Sequence, residues 1–94
     1  MKRPDDLAER IEQTTALLRQ AALAGGMAIT ADGRISESAA AELIGYQPAT
    51  LRTMRNTFGT GPTWYRAPAG GAQVSYRLAD LAAWLEAKRE GSNL

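Results

Sequence analysis

The feature that most constrains the fold is a pair of short helix signals that meet in the middle of the chain. Ser36 is suited to cap a helix over residues 37–44, and Gly45 is suited to end it. Pro48 then favours the first turn of a second helix, which we expect over residues 48–58. Because so few residues separate the two signals, the helices must cross at close range.

The second of these helices has two different faces. Leu51, Met54 and Phe58 recur at i, i+3 and i+7, so we expect them to be buried together. The opposite face carries short, polar and cationic side chains, and it is free to contact a partner. Its residues are Ala49, Arg52, Thr53 and Asn56.

Charge is unevenly distributed, although the net charge of the 94 residues is only +1. From Leu43 to Ala79 there are four arginines and no Asp or Glu, whereas the remainder has seven basic and ten acidic residues. Nucleic-acid binding requires positive charge on one face rather than a high total. The arginines of this segment are Arg52, Arg55, Arg66 and Arg77.

Several kinds of chemistry are disfavoured because the chain has no cysteine and no histidine. Disulfides and the usual zinc ligand sets cannot form, and the commonest general base is missing. Asp32 and Glu37 are near each other, but a turn aspartate and a first-turn helix glutamate account for both. We therefore expect no enzymatic activity, no metal and no cofactor.

No apolar run reaches the roughly 20 residues that a membrane-crossing helix needs, and the N-terminus turns acidic where a signal peptide would turn apolar. We expect a cytoplasmic protein of one domain that does not bind membranes.

The N-terminal residues 4–24 have the pattern of an amphipathic helix. Pro4 suits the first helical position, and acidic side chains follow it in the first turn. The predicted buried stripe contains Leu7, Ile11, Thr14, Leu18 and Ala22. This helix is either a strut that packs on the domain or a surface for self-association or another partner.

The other segments add a small amount of β-structure and a closing helix. Residues 27–36 favour a small hairpin or a structured turn around an Asp-Gly pair. The stretches 63–67 and 73–77 have strand composition and flank a PAGGA connection, which predicts a second hairpin. Residues 76–90 then have the apolar spacing of a final helix.

These blocks, in this order, resemble the excisionase-like and MerR-like winged helix-turn-helix proteins of phages, integrative elements and bacteria. The matching stretches are SESAAAELIGYQPATLRTMR, GTGPTWYR and VSYRLADLAAWLEAKR. Ala41 and Gly45 meet the need of a helix-turn-helix for a small contact residue and a glycine in the turn. The resemblance implies a mainly α fold with a β-hairpin wing over residues 35–90, an extra N-terminal helix and turn over 1–34, and a tail at 91–94.

The resemblance also implies where DNA would bind. Helix 48–58 would enter the major groove, and its base-reading residues would be Ala49, Arg52, Thr53 and Asn56. Contacts to the backbone or through the wing would come from Thr50, Arg55, Arg66 and Arg77. Arg55 is also placed for an ion pair with Glu42, and the wing tip from Ala67 to Ala72 has no charge.

Two classes of function follow. The first is sequence-specific binding of double-stranded DNA, as an excisionase (recombination directionality factor) beside an integrase or as a small transcriptional regulator beside RNA polymerase. Self-association, as a dimer or a cooperative array on DNA, would strengthen such binding. The alternative is a protein-interaction module, such as a phage DNA-packaging subunit or an adaptor, that uses the N-terminal helix.

Overall fold

The computed structural model describes residues 6–66 and 73–88. This part is mainly helical and has a small three-stranded antiparallel sheet, which confirms the expected combination of helices with a little β-structure. No helix in these two ranges is both long and apolar enough to cross a membrane. The helices are α1 (Leu7–Ala24), α2 (Glu37–Ile44), α3 (Pro48–Thr53) and α4 (Leu78–Ala87), and the strands are β1 (Arg34–Ser36), β2 (Tyr65–Arg66) and β3 (Val74–Arg77).

Helix α1 begins at Leu7, three residues later than the sequence suggested. The reason is Asp6, whose carboxylate accepts a hydrogen bond of 3.0 Å from the Glu9 N–H and so caps the helix. Pro4 lies outside the described residues. Leu7 was expected in the buried stripe but is 51% exposed, so the stripe that packs on the domain starts further along the helix.

Helix α1 packs along α4 through apolar and polar contacts. Leu18 and Ala22 are buried. Towards the other end of the interface, Glu86 of α4 accepts a hydrogen bond of 2.8 Å from the Thr14 hydroxyl and one of 3.1 Å from Nε of Arg10. Leu18 belongs to the same core as the other helices and the sheet, so α1 is attached to the domain by its buried face.

The turn between α2 and α3 follows the predicted pattern. The Ser36 hydroxyl accepts a hydrogen bond from the Ala39 N–H at 3.1 Å and caps α2. Gly45 ends α2 with φ of 82°, a conformation that glycine adopts without the steric cost of a Cβ. Ala41 is fully buried. The two short helices therefore abut as the sequence predicted.

The sheet has the strand order β1-β3-β2, and both pairings are antiparallel. The hairpin of β2 and β3 was predicted, but its connecting residues 67–72 lie outside the described residues. Residues 30–33 form the expected structured turn, with the Gly33 N–H donating to the Thr30 carbonyl at 2.9 Å. The alternative prediction, a local hairpin within residues 27–36, was wrong, because β1 pairs with β3 and places Ile35 beside Tyr76.

The core lies between the sheet and helices α2, α3 and α4. Its largest fully buried side chains come from both strands and helices: Tyr76, Ile35, Leu51, Leu78 and Leu81. Around its edge, the rings of Tyr46 and Trp84 meet edge to face with centroids 5.8 Å apart. Helix α3 packs on this core through the side that carries Leu51, and its opposite side is exposed.

Candidate nucleic-acid interface

Helix α3 is fixed at its start by proline and at its centre by a buried leucine. Gln47 has extended backbone, and its carbonyl accepts hydrogen bonds from the N–H groups of Thr50 and Leu51 at 2.9 and 3.3 Å. Pro48 occupies the first turn, where its missing N–H costs nothing. Leu51 is 1% exposed, and it anchors the helix on the core.

After Thr53 the helix continues as a π-helical turn, Met54–Phe58. The turn ends at Gly59, whose φ is 63° and whose N–H donates to the Met54 carbonyl. Gly61 then passes close to Met54, since a Cβ built on Gly61 would lie 3.2 Å from the Met54 sulfur and 3.3 Å from its Cβ. Single π turns are frequent at functional sites.

The π turn overturns the expectation that Phe58 is buried. The i, i+7 spacing assumes 3.6 residues per turn, whereas a π turn closes each hydrogen bond over one residue more and rotates the following side chains. Phe58 is 67% exposed. It lies at a shallow groove on the flank of α3 whose other lining residues are Ala49, Thr50, Thr53, Met54 and Thr60.

The four predicted base-reading side chains are all exposed on α3 and its π turn. Arg52 has no ion-pair partner within 4 Å among the described residues. The Asn56 carbonyl oxygen accepts a hydrogen bond of 3.1 Å from Nη1 of Arg55, which leaves the amide NH₂ available to an acceptor outside the protein. Ala49 and Thr53 contribute methyl groups beside these polar donors.

Arg55 has a different place from the one expected. Its guanidinium makes two hydrogen bonds to Glu37, with Nε 2.7 Å from Oε2 and Nη2 3.1 Å from Oε1. The predicted ion pair with Glu42 is wrong. Glu37 and Glu42 are five residues apart on α2 and point to different sides, and it is the Glu37 side that faces Arg55.

Glu37 joins α2, α3 and the sheet. Its Oε2 also accepts a hydrogen bond of 2.7 Å from the hydroxyl of Tyr76, which is 1% exposed. Burial opposes ionisation of Glu37, but the hydrogen bonds from Arg55 and Tyr76 outweigh it and lower the pKa of the carboxyl. Burial and the neighbouring carboxylate raise the pKa of Tyr76. The Glu37 carboxyl is therefore ionised, and the positive charge of Arg55 balances its negative charge.

Trp64 connects the π turn to the edge strand β2. The guanidinium carbons of Arg55 and Arg66 lie 5.5 and 5.4 Å from the centre of its ring. Arg66 pairs with Val74 in the sheet, and facing residues of an antiparallel pair share a side. Because Val74 is buried on the core side, Arg66 lies on the same side of the sheet as α3.

Arg77 lies on the other side of the sheet, so the two predicted wing arginines do not share a face. It is opposite Arg34 in the register, and both guanidinium carbons lie near the Tyr65 ring, at 5.0 and 5.9 Å. Asp32 is 3.0 Å from Nε of Arg34 and 3.9 Å from Nη2 of Arg77. Hydrogen bonds from Thr30 and Arg34 lower the pKa of Asp32. The ionised Asp32 carboxylate offsets part of the positive charge of Arg34 and Arg77.

Local spacing did not predict the contacts that Glu37, Trp64 and Arg34 make in this arrangement. Glu37 and Arg55 are 18 residues apart, and no local spacing links them. Arg34 acquires its position only through the pairing of β1 with β3. Thr50 is exposed as expected, and the expected uncharged wing tip at 67–72 lies outside the described residues.

The fold and the site define a small, mainly helical protein in which α3 packs on α2, is linked to the sheet through Glu37, and exposes a face without Asp or Glu. Comparisons with protein-family models, with curated proteins and with solved structures found no match.

Proposed function

We propose that this protein binds double-stranded DNA sequence-specifically as a winged helix-turn-helix protein, with α3 and its π turn in the major groove. The observation that carries the proposal is the outer face of α3. It exposes Arg52 and Asn56 beside small side chains, and Glu37, whose carboxylate contacts the π turn, is already paired with Arg55. Such a face meets phosphates and base edges without carboxylate repulsion.

The side chains on this face match the groups that a major groove presents. Arg52 can donate two hydrogen bonds to the O6 and N7 atoms of guanine. The free NH₂ of Asn56 suits a purine N7, while the methyl groups of Ala49 and Thr53 suit the thymine methyl. Each well-formed base contact discriminates by about 1–3 kcal/mol.

Other residues would position α3 rather than read bases. Each nitrogen of Arg55 donates one hydrogen bond, to Glu37 or to Asn56, so its role is to hold the π turn and orient Asn56. Thr50 and Arg66 are exposed on the α3 side and suit phosphate contacts. Arg77 would reach phosphate only where DNA bends around the outer side of the sheet.

The test is fluorescence anisotropy with duplexes tiled across the DNA that flanks the gene, at about 50 and about 200 mM salt. Specific binding predicts one preferred tile that remains preferred at the higher salt. Equal, weak binding to every tile would contradict base reading. A preferred site at a recombination junction would indicate an excisionase beside an integrase, and one at a promoter would indicate a regulator beside RNA polymerase.

A protein-interaction module is the second candidate, and exposed leucines on α1 favour it. Leu17 and Leu23 are 64% and 62% exposed. An adaptor or a phage DNA-packaging subunit would use this helix to bind another protein and α3 only as a scaffold. Absence of binding to any duplex, together with binding to a partner through α1, would favour this candidate.

A further inference from the structure

Exposed apolar side chains concentrate on α1. Of the four large hydrophobic residues that are exposed in the described part of the chain, three are the α1 leucines Leu7, Leu17 and Leu23. The helix is already held on the domain by Leu18 and Ala22. Leu17 and Leu23 line one groove on α1, whereas Leu7 does not. Exposed apolar side chains that share one surface mark an interaction site, whereas single ones do not.

An open groove of about 720 Å³ runs along α1 beside Ala79 of α4. Its middle is lined by the small side chains of Thr15 and Ala16, with Ala8 towards one end and Leu23 towards the other. Small residues in the middle let the backbone of another helix approach closely. The floor of the groove is thus largely apolar, as the packing of a second helix requires.

Two charged residues give this groove a symmetry of its own. Glu12 and Arg19 both line it, two helical turns apart on one side of α1. Both are equally far from the midpoint between Thr15 and Ala16. A second α1 helix, laid antiparallel about that midpoint, places its Arg19 opposite Glu12 and its Glu12 opposite Arg19. Ala8 and Leu23 then also face each other across the pair.

We propose that the α1 groove binds the α1 helix of a second copy of this chain, antiparallel, to form a two-fold symmetric dimer. The same patch is used on both copies, and each charged residue meets its opposite at both ends of the contact. This inference does not depend on DNA binding. If the proposed function also holds, the dimer presents two α3 helices related by a two-fold axis, and its preferred site is an inverted repeat.

The test is sedimentation equilibrium of the full chain and of charge-reversal variants. Glu12→Arg and Arg19→Glu each replace two attractive pairs by two repulsive ones, so each raises the dimer dissociation constant about tenfold or more. The double variant Glu12→Arg/Arg19→Glu restores both pairs, and we expect it to dimerise like the wild type. Circular dichroism melting shows whether each variant is folded.

Each alternative has its own result. A wild type that is monomeric at every concentration overturns the dimer and leaves the DNA proposal standing. In a parallel dimer each residue would face its own copy. The single charge reversals would then not weaken the dimer, the double variant would have no loss to restore, and that result also overturns the proposal. A dimer that follows the predicted pattern but binds no duplex supports this inference and contradicts the proposed function instead.

A second readout uses the absence of cysteine from the sequence. Ala16→Cys places one thiol next to the two-fold axis, and mild oxidation should give a disulfide-linked dimer. Ala21→Cys is the matched control, because Ala21 is also exposed but points to the other side of α1. Equal crosslinking of both variants would contradict the proposed orientation.

Discussion

At the scale of single residues, Glu37 determines how α3 is held. Its carboxylate receives two hydrogen bonds from Arg55 and one from Tyr76, so one side chain joins the start of α2, the π turn and the central strand. Arg55 in turn orients Asn56. The geometry of the exposed face therefore depends on a residue that lies beneath it.

We expect Glu37→Gln to lower the free energy of unfolding near neutral pH by about 1.5–3 kcal/mol, since it weakens charge-assisted hydrogen bonds to partly buried groups. The folded-state pKa of Glu37 lies below its ordinary value of 4.5. Its stabilisation is therefore complete above that value and is lost as the pH falls through the folded-state pKa. Urea denaturation at a series of pH values measures both effects.

The contribution of Glu37 to acid unfolding is isolated by comparing how steeply stability falls with pH in the variant and in the wild type. The variant should lose less stability than the wild type on acidification below about pH 4.5, because Gln does not titrate. Asp32→Asn is the control, since Asp32 also has a lowered pKa but lies on the outer side of the sheet. If the stability of Glu37→Gln fell with acidification as steeply as that of the wild type, Glu37 would not contribute to acid unfolding.

Leu51 and Phe58 differ sharply in burial, although both belong to the apolar spacing of the same helix. Leu51→Ala should cost about 2–5 kcal/mol of stability, as expected for a fully buried leucine. Phe58→Ala should change stability by about 0.5 kcal/mol or less, because its side chain is 67% exposed. Chemical denaturation measures both, and a large loss for Phe58→Ala would mean that α3 continues as a regular α-helix.

At the scale of elements, the parts of the fold that follow local rules were the predictable ones. The Ser36 cap, the left-handed Gly45 and the proline start of α3 each rest on a preference of one residue for one backbone position. The hairpin of β2 and β3 follows from composition around a short connection. Each of these elements can be predicted from a short stretch of sequence.

The parts that escaped prediction depend on contacts between distant residues. β1 exists because Ile35 and Tyr76 enter the same core from segments about 40 residues apart, and its three residues carry little strand signal alone. The π turn depends on how the chain after Gly59 returns over Met54. Phe58 is exposed because this turn rotates the side chains that follow Met54.

Gly61, which follows the π turn, allows a prediction, and Gly45 at the end of α2 is the comparison. Gly45 and Gly61 have φ of 82° and 88°, so an alanine at either position is strained by about 1 kcal/mol. Only at Gly61 does the new Cβ also press on Met54, whereas Gly45 has open space. Gly61→Ala should therefore destabilise the protein more than Gly45→Ala in urea denaturation. Equal losses would show that Gly61 does not hold the π turn.

At the scale of the whole molecule, two surfaces remain open on one core. The outer face of α3 carries arginine, amide and methyl groups, and the groove on α1 carries a self-complementary pair of charges. The sequence indicated both surfaces, the first through the acid-free segment and the second through the amphipathic helix. It did not indicate that Arg66 and Arg77 lie on opposite sides of the sheet, because that depends on the register with β3.

The most direct test of the account is the affinity of Arg52→Ala/Asn56→Ala for the preferred duplex and for a scrambled duplex of equal length, measured by anisotropy. Because both side chains are exposed, the variant should keep the wild-type melting behaviour. We predict that it loses the preference for the specific duplex, with about 1–3 kcal/mol lost for each base contact. Arg52→Lys should retain the affinity for scrambled DNA but lose part of the preference, since lysine lacks the two-pronged donor. An unchanged preference in the double variant would contradict the claim that α3 reads DNA.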